Sequence, residues 1–196
     1  MLDLGSGEGE LEEKIKNVDS LVKIGVDVSQ KSLRHGLKRK RYNKIIGVDI
    51  EEGLEKINLE GKVDIVVVAE VLEHLRHPGI FIEKEVKPLL KDGGYLMGSV
   101  PNMAQIHDII GLATGRGESY QAYRPLMDFT SGHISFFSIN SLKKILRLAG
   151  YTNIRIIGNG VRLRRRGDLN LFWLSKLPYF KNFSDRFIFI CKKNRI

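Results

Sequence analysis

Short runs of aliphatic and β-branched residues alternate along the chain with stretches whose apolar residues recur every three or four positions. The clearest strand is 63–69, which is apolar at nearly every position, as expected for a central strand covered on both faces. Helical spacing appears at 30–38, 80–90 and 141–148. Strands that alternate with helices predict an α/β, doubly wound, Rossmann-like fold with helices on both faces of a parallel sheet.

The predicted strands, in chain order, are 1–4, 22–27, 45–49, 63–69, 95–100, 154–157 and 186–191. Helix 80–90 is expected to stop at the Asp-Gly-Gly of 92–94, because glycine favours turns over helix. Residues 103–137 break the alternation with several glycines and a proline, which predicts a variable acceptor loop or lid. No repeat or linker indicates a second domain, so 1–196 is predicted to form a single one.

The chain of 196 residues and 22.3 kDa is long enough to bury a sizeable core. Its apolar runs fall short of the roughly 20 residues that span a bilayer, and its first residues do not resemble a signal peptide. The single cysteine, Cys191, excludes an intrachain disulfide framework and a zinc–thiolate cluster. These features predict a cytoplasmic protein.

The net charge of +9 is unevenly distributed. Residues 1–154 contain 21 basic and 21 acidic residues, whereas 155–196 contain 11 basic and two acidic residues. The basic run 162–166 precedes the apolar LFWL of 171–174, which predicts contact with an anionic surface, such as a lipid or a lipid-linked acceptor, at the membrane periphery. A solvated basic loop is the alternative, and the basic run 38–41 is interpreted as a solvated helix end.

The most informative motif is the stretch 2–9, LDLGSGEG, at a predicted strand-to-helix turn. Glycines at such a turn let the backbone approach a ligand closely. The spacing is G-x-G-x-G, and Glu10 stands where a dinucleotide-binding motif requires its third glycine. Asp3 would repel phosphates, so the motif favours a cationic ligand without a pyrophosphate. A tight structural turn is the alternative.

Two further acids follow the next predicted strands. Asp27 can accept hydrogen bonds from ribose hydroxyls, and Asp49 beside Ile50 can hold an adenine. Either aspartate alone could instead cap a helix. Together with Asp3 they would lie at the carboxyl ends of three successive strands, where open α/β sheets bind their ligands.

With these motifs the chain resembles the class I S-adenosylmethionine-dependent methyltransferases, from 2–7 through 25–28, 48–50 and 64–74 to 93–95. The resemblance implies a seven-stranded sheet whose last strand is antiparallel, and S-adenosylmethionine as cofactor. The cofactor-binding residues it implies are Asp3, Gly5, Ser6 and Gly7 around the methionine part, Asp27 and Val28 at the ribose, Asp49 and Ile50 at the adenine, and Glu70 under the methyl group. Relatives carry a helical segment before the first strand, so we expect a chain truncated at its N-terminus relative to them.

The stretch 132–138 and the Ala-Gly-Tyr of 149–151 are similar to ubiquinone-type and sugar- or lipid-modifying members of the family. The resemblance implies methyl transfer to a small-molecule, sugar or lipid-linked acceptor, which we expect to occur at oxygen. Two alternatives remain open: a metal-assisted RNA 2′-O-methyltransferase, and a non-catalytic scaffold subunit that binds the cofactor.

Methylation of an oxygen calls for a base, and the candidates are His74, His107 and His133. We favour His133, which follows the long loop, although it could simply bond a loop carbonyl. If 70–74 is helical, Glu70, Glu73 and His74 share one face and could form a cation site with His133, as in small-RNA 2′-O-methyltransferases. We expect no metal, because relatives that use none contain the same segment.

Overall fold

Seven strands form one sheet in the computed structural model, which describes residues 1–9, 20–57, 59, 61–105, 109–110, 113–115, 132–160 and 180–194. The strands are β1 Leu2–Leu4, β2 Ile24–Asp27, β3 Lys44–Gly47, β4 Val63–Ala69, β5 Leu90–Pro101, β6 Tyr151–Asn159 and β7 Arg186–Lys193. Their order across the sheet is β3-β2-β1-β4-β5-β7-β6. Strands β1 to β5 pair in parallel, whereas β7 is antiparallel to both of its neighbours. The predicted fold class, with its antiparallel last strand, is confirmed.

The helices of the described residues follow the strands as the pattern predicts. Helix α1 spans Gln30–Lys38 and begins at Ser29, whose Oγ accepts a hydrogen bond from the Ser32 N–H. A middle helical segment consists of α2 Pro78–Ile80, a π-helical stretch Phe81–Val86 and α3 Lys87–Leu89. Helix α4 spans Ile139–Leu148, starting earlier than predicted because Ser138 and Ser141 form a capping box. Short 3₁₀ turns complete the set at Ile50–Glu52, Leu54–Lys56, Leu72–His74 and Phe180–Phe183.

The predicted end of the middle helix is confirmed to within one residue, but the predicted start of the fifth strand at 95 is wrong. The helix ends at Leu89, and 92–94 already belong to β5. Leu90 pairs with Val63 of β4, and its carbonyl accepts a hydrogen bond from the buried Lys193 Nζ at 2.8 Å. This tertiary contact fixes the start of the strand, which local glycine chemistry does not reveal.

The hydrophobic core lies between the sheet and the helices that follow β4 and precede β6. Its largest fully buried side chains include Leu96 of β5, Phe187 and Phe189 of β7, and Leu142 of α4. Each buried side chain of this size contributes about 1.5–3 kcal/mol to folding. Among the described residues, no helix is both long enough and apolar enough to cross a membrane.

The predicted loop 103–137 has ends that lie close together. Asn102 and Phe137 form an isolated parallel bridge, and the Met103 N–H donates to the Phe137 carbonyl at 3.0 Å. The sequence also predicts a helix that starts near Glu10 and a short amphipathic helix near 169–177. Both predicted helices, the basic run 162–166 and most of this loop lie outside the described residues.

Tyr42 lies beneath the turn that follows β1. A Cβ added at Gly9, Gly25 or Gly36 would approach the Tyr42 ring to 2.8, 3.1 and 3.1 Å, respectively. Three glycines from different parts of the chain therefore make room for one aromatic ring. The Tyr42 hydroxyl donates to Asp3 Oδ2 at 2.9 Å and also lies 3.3 Å from the Ser6 carbonyl oxygen.

Replacement of Tyr42 by phenylalanine removes a hydrogen bond to the buried Asp3 carboxylate while leaving the ring in place. We expect Tyr42→Phe to lower the free energy of unfolding by about 1–3 kcal/mol, measured by urea denaturation. Tyr151 is the matched control, because its buried hydroxyl has no hydrogen-bond partner among the described residues. Tyr151→Phe should therefore be neutral or stabilising; equal losses in both variants would contradict this role of Tyr42.

Candidate active site

The glycine turn after β1 places open backbone at the carboxyl edge of the sheet. Gly5, Gly7 and Gly9 have φ angles of +72°, +50° and +80°, which side-chain-bearing residues rarely adopt. A Cβ at Gly5 would lie 2.5 Å from Val71 Cγ2, whereas a Cβ at Gly7 would meet nothing within 4 Å. The space beside Gly7 is therefore open. Ser6 Oγ is buried nearby and has no hydrogen-bond partner among the described residues.

Asp27, the last residue of β2, connects the glycine turn to helix α1. Its Oδ2 accepts from the Gly7 N–H at 2.8 Å, and its Oδ1 accepts from the Ser29 N–H at the same distance. The side chain remains partly exposed, and each carboxylate oxygen has a second lone pair for a further donor. The neighbouring Val28 is 69% exposed.

The other two predicted acids differ from Asp27 in their surroundings. Asp3 pairs with Gly25 in the sheet register, so it lies two residues inside the edge that Asp27 occupies, and it is buried against Tyr42. Asp49 is exposed and follows the end of β3, where it caps the Ile50–Glu52 turn by accepting from the Glu51 N–H at 3.0 Å. Ile50 is half-buried and packs against the core.

Glu70 follows β4 in a left-handed conformation, with φ at +55°. Its Oε1 accepts a 2.6 Å hydrogen bond from Ser99 Oγ, and its Oε2 lies 3.9 Å from Arg186 Nη1. The hypothesis of a single helical face over 70–74 is therefore wrong, because the backbone turns at Glu70 and the 3₁₀ turn begins only at Leu72.

Glu73, His74 and His133 form a cluster, with one ligand atom from each lying within 4.8 Å of the others. The two imidazole rings meet edge to face, with centroids 5.1 Å apart. Backbone contacts hold the two segments together: the Ile134 and Ser135 N–H groups donate to the Glu73 carbonyl at 2.8 and 2.9 Å. The cluster joins the turn after β4 to the end of the long loop.

Burial shifts the pKa values of Glu73 and His133. It raises the pKa of Glu73 to about 7, and the negative charge of Glu70 acts in the same direction. Neither Glu73 oxygen has a hydrogen-bond partner among the described residues. Burial also lowers the pKa of His133, with His74 lowering it further and Glu70 opposing the shift. His133 is therefore favoured in its neutral form, which can accept a proton.

Several residues of the site were not singled out by their sequence pattern. Tyr42 supports the turn from a position just before β3, and Arg41, interpreted as part of a solvated helix end, is buried and donates from Nη1 to the Glu8 carbonyl at 2.9 Å. The glycines at 9, 25 and 36 are the sequence feature that could have indicated space for the large side chain of Tyr42 between these segments. His107 lies outside the described residues.

Comparisons with known proteins identify the family and the fold of this chain. Residues 1–156 match a family model described as a methyltransferase domain. A Thermotoga maritima S-adenosylmethionine-dependent methyltransferase, described as a possible histamine N-methyltransferase, superimposes with a TM-score of 0.66 at 19% identity, covering 98% of this chain and 81% of that one.

Two further solved structures have the same fold. An S-adenosylmethionine-dependent methyltransferase from Archaeoglobus fulgidus gives a TM-score of 0.64 at 17% identity, covering 98% of this chain and 85% of the other. The plantazolicin methyltransferase BpumL was solved in complex with a desmethylplantazolicin analogue and S-adenosylhomocysteine. It gives a TM-score of 0.61 at 16% identity, covering 99% of this chain and 76% of that one. The chain therefore belongs to the methyltransferase-domain family and is a class I S-adenosylmethionine-dependent methyltransferase.

Proposed function

We propose that the chain methylates an oxygen of a small-molecule, sugar or lipid-linked acceptor, with His133 as the general base. The observation that supports this proposal is the position of His133, whose lowered pKa favours a neutral imidazole beside the turn that follows β4. A hydroxyl acceptor must lose its proton as the methyl group is transferred, and a neutral imidazole near this edge can accept it.

The residues present fit S-adenosylmethionine on three observations. Among the described residues, no atom lies within 4 Å of a Cβ built at Gly7, the buried Ser6 Oγ lacks a partner, and Asp27 is partly exposed at the strand end. The proposed cofactor-binding residues remain those predicted: Asp3, Gly5, Ser6, Gly7, Asp27, Val28, Asp49, Ile50 and Glu70. Asp3 would act from beneath the turn, through its bond to Tyr42, whereas Asp27 can accept directly from a ribose.

When bound, S-adenosylmethionine supplies a methyl group on a positively charged sulfur, which is transferred by direct displacement. The chain contributes orientation and proton removal. Glu70, fixed by Ser99, adds negative charge at the end of β4, where it favours a cationic sulfur. His133 takes the acceptor proton, and the Ile134 and Ser135 bonds to the Glu73 carbonyl keep its backbone in place.

The acceptor class rests on the similarity of the 132–138 stretch to lipid- and sugar-modifying enzymes. Solved relatives with this fold include a possible histamine N-methyltransferase and a plantazolicin methyltransferase, so the fold accommodates diverse acceptors. A lipid-linked acceptor would agree with a cytoplasmic protein that contacts membranes through its basic C-terminal segment.

S-adenosylhomocysteine should raise the melting temperature, because a ligand that binds only the folded state stabilises it by mass action, and NAD should not. Asp27→Asn removes the charge that strengthens hydrogen bonds to a ribose, so we expect S-adenosylhomocysteine to bind about 10- to 100-fold more weakly by calorimetry. Asp92→Asn is the control for the loss of one carboxylate charge. Asp92 is exposed and pairs with Lys193. Stabilisation by NAD, or unchanged binding in Asp27→Asn, would contradict the assignment.

Replacement of single histidines separates the base from its neighbour. His133→Gln should lower methyl transfer by about 10²- to 10⁴-fold, whereas His74→Gln should affect it far less, because His74 lies outside the proposed proton path. S-adenosylhomocysteine binding should persist in both variants. Transfer is measured as a one-methyl mass increase on an acceptor identified by screening pools of lipids, sugars and small metabolites.

One observation favours a second candidate, the metal-assisted RNA 2′-O-methyltransferase. The buried Glu73 carboxylate, which has no hydrogen-bond partner in the part of the chain that the structure describes, lies beside two imidazoles, and these groups are ligands for divalent cations. In that case His74→Gln and His133→Gln would lose activity together, a chelator would abolish it, and purified protein would contain stoichiometric metal. We expect activity that is indifferent to chelation.

The raised pKa of Glu73 makes stability depend on pH. Between pH 4.5, its ordinary pKa, and about 7, the unfolded chain releases this proton while the folded chain retains it. The free energy of unfolding should therefore fall as pH rises through this window. Glu73→Gln removes this titrating group and its pH dependence. The free energy of unfolding of the variant, relative to that of wild type, should therefore increase from pH 4.5 to about 7. Glu55→Gln, at an exposed site, is the control; parallel curves for wild type and Glu73→Gln would contradict the assignment.

A further inference from the structure

A cleft of about 440 Å³ lies beside the glycine turn, and positive charge dominates its lining. The lining residues are Glu8 from the turn and Lys31, Arg34, His35 and Lys38 from α1. The three cations are spaced i, i+3 and i+7, so they share one face of the helix. All three are exposed, opposite the face that buries Leu33 and Gly36.

Among the described residues, no carboxylate lies within 4 Å of these three cations. Arg34 bonds only to Gln30, at 3.5 Å. Glu8, the one carboxylate among the described lining residues, is bonded to His35 Nδ1 at 2.7 Å, and this bond holds the pKa of Glu8 below its usual range. Among the described residues, the cleft therefore has more positive than negative charge.

The charge balance over residues 1–154 conceals this concentration. Residues 20–44 contain eight lysines and arginines but one acid, Asp27, whose oxygens accept hydrogen bonds from Gly7 and Ser29. Acidic residues gather elsewhere, in the turns after β3, where Glu51, Glu52 and Glu55 are exposed. The described residues of α1 and its flanks are thus mostly basic, and a basic surface attracts polyanions.

We propose that this cleft binds the phosphate backbone of a single-stranded nucleic acid. The row from Lys31 to Lys38 is about 10.5 Å long at 1.5 Å per residue. That length matches a few phosphates of an extended strand. A concave surface suits a narrow chain better than a flat bilayer, and the described lining of the cleft includes no Trp, Tyr or Phe to insert into lipid.

The binding would follow phosphates and not sequence, because lysine and arginine aligned along a backbone read charge alone. The cleft is built from α1 and the glycine turn, whereas the proposed base lies in the Glu73–His74–His133 cluster. The inference therefore does not depend on the acceptor, and S-adenosylhomocysteine binding reports separately on the proposed function.

The test is fluorescence anisotropy of labelled oligouridine with the full chain across a salt series. The cleft variant combines Lys31→Gln, Arg34→Gln and Lys38→Gln. We expect it to bind oligouridine at least tenfold more weakly at low salt. The slope of log affinity against log salt concentration should fall in magnitude by about 2, because each phosphate contact on a single strand contributes about 0.7. The control combines Lys56→Gln, Lys84→Gln and Lys91→Gln, which removes the same charge from exposed lysines elsewhere. Unchanged thermal stabilisation by S-adenosylhomocysteine shows that both triple variants are folded.

Selective loss in the cleft variant supports the proposal. Equal loss in the two triple variants would overturn it in favour of general electrostatic attraction. Loss only after Arg164→Ser, Arg165→Ser and Arg166→Ser would assign binding to the C-terminal segment and overturn it as well. Absence of oligouridine binding at low ionic strength, or cleft-dependent binding to phosphatidylserine vesicles alone, would likewise reject a nucleic-acid site.

Discussion

The packing of Tyr42 beneath the glycine turn is the constraint on which the cofactor edge of the sheet depends. The ring occupies the volume that side chains at Gly9, Gly25 and Gly36 would otherwise fill, and its hydroxyl reaches Asp3 in the middle of β1. The turn can therefore adopt left-handed backbone angles and still rest on a packed interior. The contact of Tyr42 with these glycine positions therefore holds in place a turn whose glycines would otherwise make it flexible.

Asp27, at the end of β2, also supports the glycine turn. It accepts the Gly7 N–H with one oxygen and the Ser29 N–H with the other, so a single carboxylate fixes both the turn and the start of α1. A side chain with these two structural bonds can still offer lone pairs to a ligand. Asp27 can therefore cap the helix and bind a ribose at the same time, although the sequence alone left these two roles as alternatives.

The second half of the site is assembled by main-chain bonds between distant segments. Two N–H groups from the end of the long loop donate to the Glu73 carbonyl, and Ser135 Oγ donates to the Leu75 carbonyl at 2.8 Å. These bonds bring His133 to His74 across nearly sixty residues of chain. The same closure buries the Glu73 carboxyl, so the raised pKa of Glu73 and the lowered pKa of His133 share one cause, which is desolvation.

The sequence by itself determined the order of strands and helices, the antiparallel last strand through family resemblance, and the glycine turn, because hydrophobic period and glycine spacing are local properties. It also placed Asp27 at a strand end. Only the tertiary structure decided that Asp3 is buried beneath the turn, that Glu70 points to Ser99 and Arg186, and that Glu73 joins the two histidines. Those outcomes depend on burial and on contacts between segments far apart in the chain, which no local pattern encodes.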